Sequence, residues 1–204
     1  MSDTAVSNNA KSLLLLTAVN SVWGVVMGLI GPFYILYIKD VAGGMDQLGI
    51  AYATMIFTQA IASYSMGKFS DRHGRKRFMI VSAYADSVIL FLFTLITSPA
   101  QLFVLQAGLG ITNAVAGTTR QALLGDLTAR TNRGLEIGRF NAIVGVFSAV
   151  GIAGGGVFAK FYGIKPIFCI AAVSVALSTT LLFFVRETES DQDSVPERKG
   201  NADL

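Results

Sequence analysis

One carboxylate stands where water is scarce. Asp86 lies about halfway along the apolar stretch Phe78–Thr97. An ionisable group in such a run is costly, so it marks either a proton-binding site or an acid kept for structure by hydrogen bonds; both readings are open. Five more polar side chains interrupt apolar stretches: Asn20 and Trp23, Gln59, and Gln106 with Asn113. Each is able to bridge helices or to contact a solute. Other chemistry is poorly supplied. His73 is the one histidine and Cys169 the one cysteine, so no intrachain disulfide and no metal centre of clustered histidine or cysteine is expected. No nucleophile, base and metal share a pattern, so neither an enzyme nor a cofactor is expected. Gly108-Leu109-Gly110 and Gly151–Gly156 follow no strand and lack the lysine of a phosphate loop.

The elements that position these residues follow from composition. Of 204 residues, 52% are apolar and 14% are charged, against about 25% charged in a soluble domain; mean hydropathy is +0.57. The charges cluster, and the stretches between them are nearly free of charge. A hydrocarbon layer of ~30 Å takes ~20 apolar residues per helix. Six segments qualify: Leu13–Ile38, Leu48–Phe69, Phe78–Thr97, Gln101–Leu124, Ile137–Phe161 and Ile164–Val185. The first is too long for the core of a signal peptide and reads as a retained helix. Short turns are expected at Lys39–Gln47, Ser98–Pro99 and Tyr162–Gly163. The reading is a polar arm over 1–10, a six-helix domain over 11–187 and a disordered tail over 188–204. The net charge of +3 is the usual surplus of membrane loops, and no nucleic-acid partner is expected.

Basic residues fix the expected orientation. One side carries Lys11, Lys68, Arg72, Arg75, Lys76, Arg77, Arg120, Arg130, Arg133, Arg139, Arg186, Arg198 and Lys199; the other has Lys39, Lys160 and Lys165. The positive-inside bias places both termini in the cytoplasm, in a membrane of the prokaryotic plasma type. Glycines spaced four apart, Gly24/Gly28 and Gly151/Gly155, predict close helix packing in lipid. Arg120, near the cytoplasmic end of the fourth helix, is expected to snorkel.

The most specific pattern joins the second and third helices: Gly67-Lys68-Phe69-Ser70-Asp71-Arg72-His73-Gly74-Arg75-Lys76-Arg77. It resembles the signature of the major facilitator superfamily, G-x-x-x-D-R-x-G-R-K, at every defining position. Gly125-Asp126-Leu127, followed by Asn132-Arg133-Gly134, resembles that family's connection between helices four and five, and Gly31-Pro32-Phe33-Tyr34 the outer end of its first helix. The resemblance runs from about Leu13 to Glu187. It implies an all-α polytopic membrane protein, six transmembrane helices forming half of a major-facilitator-type fold, and similar to the N-terminal half. It implies that Gly67, Asp71, Arg72, Gly74, Arg75, Lys76, Asp126 and Arg133 form a conformational switch, with Asp126 paired to Arg75. It also places Asn20, Trp23, Gln59, Gln106 and Asn113 on helices that line the cavity, whereas the third helix, with Asp86, is peripheral to it. Two departures stand out. Val104 occupies the place of the arginine in drug–proton antiporters, and the run Gly151–Gly156 lacks their proline, which argues against antiport of the usual design.

The function expected is transport of small organic solutes by alternating access, secondary active, with H+ a possible coupling ion. No Lys or Arg lies at mid-depth in helices one, two, four or five, which favours a neutral or cationic solute. Six helices cannot enclose a central pathway alone. The partner is a second copy of the chain or a complementary half; a membrane scaffold that transports nothing is the alternative of a different class.

Overall fold

In the computed structural model the described residues form six helices, α1 (Asp3–Ala42), α2 (Met45–His73), α3 (Arg75–Phe93), α4 (Pro99–Leu127), α5 (Arg133–Tyr162) and α6 (Lys165–Leu181), followed by a 3₁₀ turn, Leu182–Phe184. The structure describes residues 3–73, 75–128 and 131–184; the side chains of 3–9, 67–68, 70–73 and 75 lie outside that description. The expected tail over 188–204 lies outside the described residues.

The helix ends depart from the hydropathy segments by a few residues, and by more at the start of α1. Apolar runs mark where a chain meets lipid, whereas a helix continues until its backbone hydrogen bonds are stopped. Gly43, at φ +87°, ends α1 in the left-handed region, and α2 resumes at Met45. Gly163, at φ +76°, does the same after α5, its amide donating to the Ala159 carbonyl at 3.0 Å. Glycine is the residue that enters this region without a Cβ penalty. α3 stops at Phe93, short of the expected Thr97, where Thr94 and Leu95 donate to carbonyls three residues back. α4 begins on a Ser98 cap with Pro99 in its first turn, and Gln101 Oε1 accepts from the Thr97 amide at 2.9 Å.

Four helical stretches are long and apolar enough to cross a membrane by themselves: Ala10–Ala42, Pro99–Leu127, Arg133–Tyr162 and Lys165–Phe184. α2 and α3 fall short of that measure. α2 mixes Thr54, Thr58, Gln59, Ser63 and Tyr64 into its length, and α3 has 19 residues and opens on Arg75-Lys76-Arg77. They complete the bundle by packing: α2 lies chiefly along α4, and α3 between α4 and α6.

α1 is central, packed against α5, α6, α4 and α2. The α1–α5 crossing rests on glycine. A Cβ on Gly28 would strike the Ser148 carbonyl and come 2.8 Å from the Ile152 amide; one on Gly151 would strike the Val25 backbone, and one on Gly155 would meet the Leu29 Cα at 2.9 Å. The α2–α4 crossing is built the same way, since a Cβ on Gly110 would reach the Gln59 amide nitrogen at 2.9 Å. Close backbone approach gains dispersion contacts, the main attraction between helices when the surroundings are as apolar as the side chains. The glycine pairs expected to pack do so.

The interior is layered. At the end away from the basic turns, a core built on Ile30, Ile38, Phe93, Leu102 and Phe168 is closed by a Phe93–Phe168 stack with centroids 5.5 Å apart. Tyr37 Oη donates to the Phe93 carbonyl at 2.6 Å, and Ser87 Oγ to the Ala172 carbonyl at 2.8 Å. At the basic end a second core gathers Leu16, Met79, Leu123, Phe140 and Leu182. Between the two lies a polar stratum.

Candidate functional site: a polar stratum at mid-bundle

Each of four helices turns one face into that stratum. α1 brings Asn20 and Trp23, α3 brings Asp86, α4 brings Arg120, and α6 brings Ser178 and Thr179, around a cavity of about 50 Å³. On α3, Met79, Ala83 and Asp86 follow the i, i+4, i+7 spacing of one helical face, as Ala116 and Arg120 do on α4. Asp86 is 2% exposed. Thr112, one turn before Ala116, places its hydroxyl against Asp86 Oδ1 and also 3.1 Å from the Leu109 carbonyl.

A hydroxyl has one proton to give. With Asp86 ionised, Thr112 donates to the carboxylate. With Asp86 protonated, the acid donates to Thr112 Oγ1 and the threonine proton turns to Leu109. The Asp86–Thr112 hydrogen bond is thus kept in both protonation states. Arg120 does not extend straight to the surface. Its Nη1 donates to Asn20 Oδ1 at 3.5 Å, while Asn20 Nδ2 donates to the Leu16 carbonyl at 2.8 Å.

The five residues expected to form a cavity wall are divided by the fold. Asn20 and Trp23 join Asp86 around the polar cavity. Gln106 sits in the apolar layer beyond it, 0% exposed, its Oε1 accepting from Tyr34 Oη at 3.1 Å. Gln106 Nε2 is buried without an acceptor. Gln59 and Asn113 are half-buried on α2 and α4, away from both groups. Tyr34, Thr112 and Arg120 were not legible as participants: their partners lie 72, 26 and 100 residues away in the chain.

An unmatched buried amide costs about 1–3 kcal/mol. Because Gln106→Leu alone would strand the Tyr34 hydroxyl, it is the Gln106→Leu/Tyr34→Phe pair that is expected to leave the unfolding free energy unchanged or to raise it by about 1 kcal/mol, read by denaturant titration in detergent. A loss above that size would show that the amide is structurally required.

At the basic end, Lys76 Nζ donates to the Phe183 carbonyl at 2.7 Å, tying the start of α3 to the end of α6. Arg133 Nη2 donates to the Gly125 carbonyl at 2.7 Å, so the first residue of α5 caps the last turn of α4 beside Asp126. Gly74 lies outside the described residues, as do the side chains at Gly67, Asp71, Arg72 and Arg75. Val104 is 70% exposed on the outer face of α4, against Leu92 and Leu95 rather than the polar stratum.

A family model for the Major Facilitator Superfamily matches residues 15–204. The chain belongs to the Major Facilitator Superfamily. The all-α six-helix bundle is accordingly that of an integral membrane protein similar to an N-terminal major-facilitator half. The chain is 29% identical over 154 residues to the uncharacterized MFS-type transporter YitZ of Bacillus subtilis (strain 168), a match covering 76% of this chain and 94% of that protein. It is 31% identical over 196 residues to the multidrug resistance protein MdtG of Salmonella arizonae, covering 92% of this chain and 48% of that one. The MdtG of Proteus mirabilis is 30% identical over 171 residues, covering 80% and 42%. The chain spans about half the length of these MdtG relatives. Members of the superfamily are transporters, and the relatives are named as transporters or resistance proteins rather than as enzymes.

Proposed function

We propose that this major-facilitator chain moves small organic solutes across the membrane by alternating access, driven by H+, as a half-size unit that pairs with a second copy. The observation that carries the pairing is the bareness of α5. In its most apolar stretch 11% is buried, against 44% in each of the other three spanning stretches. Its free face holds Gly138 and Gly145, where an added Cβ would meet nothing within 4 Å, and α2 exposes Ile56, Phe57 and Ile61. Parallel copies about an axis normal to the membrane would cover both faces. A complementary half of different sequence would cover them equally, and the MdtG relatives, about twice as long as their match to this chain, favour that second reading.

In this proposal Asp86 is the proton site, Asn20 and Trp23 line the cavity beside it, Gln106 is held in the apolar layer by Tyr34, and Gln59 and Asn113 contribute to solute contact. The MdtG names support organic solutes of drug type, and Arg120 in the polar stratum departs from the expectation of no basic residue at mid-depth on which a neutral or cationic solute rested. Asp71, Arg75, Asp126 and their neighbours act as the switch at the cytoplasmic end, as the signature resemblance implies. Asp71→Asn is then expected to slow transport about tenfold while equilibrium solute affinity stays within a few-fold; loss of binding in a folded protein would remove the switch role.

Proteoliposomes containing this chain alone test the whole reading, with a panel of fluorescent organic cations and an imposed pH gradient. Gradient-driven movement, together with a crosslink between Asp71→Cys on one copy and Gly138→Cys on another in a Cys169→Ser background, is the expected result. Monomeric, inactive protein would leave the complementary half as the better reading. Orientation is tested in whole cells: Met45→Cys at the start of α2 should react with an impermeant reagent and Ser194→Cys should not, and the reverse would overturn it.

A further inference from the structure

We propose that the cavity of the polar stratum is a hydrated antechamber through which Asp86 exchanges protons with the cytoplasm, in a side compartment of the bundle rather than in a solute pathway. This rests on the reading of Asp86 as the coupling site.

The cavity has the properties a water site requires. Its volume of about 50 Å³ accommodates about two water molecules, and a buried water needs two to four polar partners. Asn20, Asp86, Arg120, Ser178 and Thr179 all line it. Four helices wall it, and two of them, α3 and α6, carry the Ser87–Ala172 bond that closes the compartment further along. The polar and charged groups facing Asp86 are few. α4 contributes Thr112 and Arg120, α1 contributes Asn20, and α6 contributes Ser178 and Thr179, so Arg120 is the one cation among the described residues of the cavity.

The depth is suitable for a relay. Arg120 is eight residues nearer the basic end of α4 than Thr112, a rise of ~12 Å, so the cavity leads from the Asp86–Thr112 pair toward that end. There Met79 and Leu182 line it, both buried. They narrow its exit beside the Lys76–Phe183 bond. The step itself is a simple acid dissociation. The O–H bond of the Asp86 carboxyl breaks, its proton joins a cavity water, and Thr112 turns its own proton onto the carboxylate left behind. The excess proton passes on between Met79 and Leu182 to bulk water. Arg120, held by Asn20, acts as a positioning residue that orders the cavity water.

The experiment uses the full chain in lipid nanodiscs at acidic pH, transferred from H2O to D2O. The infrared carboxyl band that Asp86→Asn removes reports the exchange. Ala116→Leu and Ala83→Leu each fill the cavity from a different helix while leaving Asp86 and Arg120 themselves in place, and Val104→Leu on the outer face is the control. At least a tenfold slowing in either folded filling variant, with the control at the wild-type rate, is expected. Wild-type exchange in both folded filling variants would overturn the antechamber. The coupling reading fails separately: full gradient-driven transport by Asp86→Asn would overturn it, whatever the exchange rates show.

Discussion

Gly28→Leu is expected to prise α1 from α5 and to cost the bundle its native packing. An added side chain at this point meets the Ser148 carbonyl and the Ile152 amide, both backbone atoms of a helix that cannot step aside by changing a rotamer. The helices must separate, and the contacts at Gly24, Gly151 and Gly155 are lost with the same movement. Overpacking alone costs about 1–3 kcal/mol, and loss of the neighbouring contacts adds to it, so a drop of more than about 3 kcal/mol is expected. Thermal unfolding followed by circular dichroism in detergent measures it. Gly31→Leu is the matched control, because a Cβ at Gly31 meets nothing within 4 Å. Equal effects of the two substitutions would mean that the crossing is not held by close approach at Gly28.

Asp86→Asn is expected to separate transport from the proton gradient. The amide keeps the shape of the acid and an oxygen for the Thr112 hydroxyl, so folding is preserved, but it has no proton to release. Gradient-driven accumulation should fall at least tenfold, while exchange of solute between equal pools on the two sides stays within a few-fold of wild type. Thr112→Val is the companion variant. It removes the partner through which both protonation states are satisfied, and an unmatched buried carboxyl costs more than an unmatched amide. Its accumulation should fall as well, with a changed pH profile. Accumulation at the wild-type level in Asp86→Asn would return Asp86 to a structural role.

What was legible in the sequence was what a bilayer imposes locally. Charge clustering and six apolar runs gave the helices, and Gly43, Ser98-Pro99 and Gly163 gave the turns, because turn chemistry is written in one or two residues. The fourfold glycine spacing was readable for the same reason: Gly24/Gly28 and Gly151/Gly155 encode smooth helix faces without reference to the partner. Partner identity is another matter. Nothing within α3 names Thr112 as the mate of Asp86, and nothing around Arg120 points it inward to Asn20 rather than out along the surface. The five expected cavity residues lie on helices that the resemblance places around one space, yet rotation about each helix axis decides which layer a side chain enters. That rotation sends Asn20 and Trp23 to the polar stratum and Gln106 to Tyr34.

The unequal hydropathy of the helices also bears on how the protein is made. α2 and α3 emerge from the ribosome before α4, and both fall outside the four helical stretches long and apolar enough to cross a membrane by themselves. Insertion machinery weighs each segment as it arrives, and polar residues at mid-span raise the cost of release into the bilayer. α2 has its main contact with α4, and α3 with α4 and α6, so both would wait beside the translocon until their partners are synthesised. Integration would then finish late and as a group, leaving a nascent chain truncated before Pro99 with a weakly held hairpin that quality-control proteases can reach.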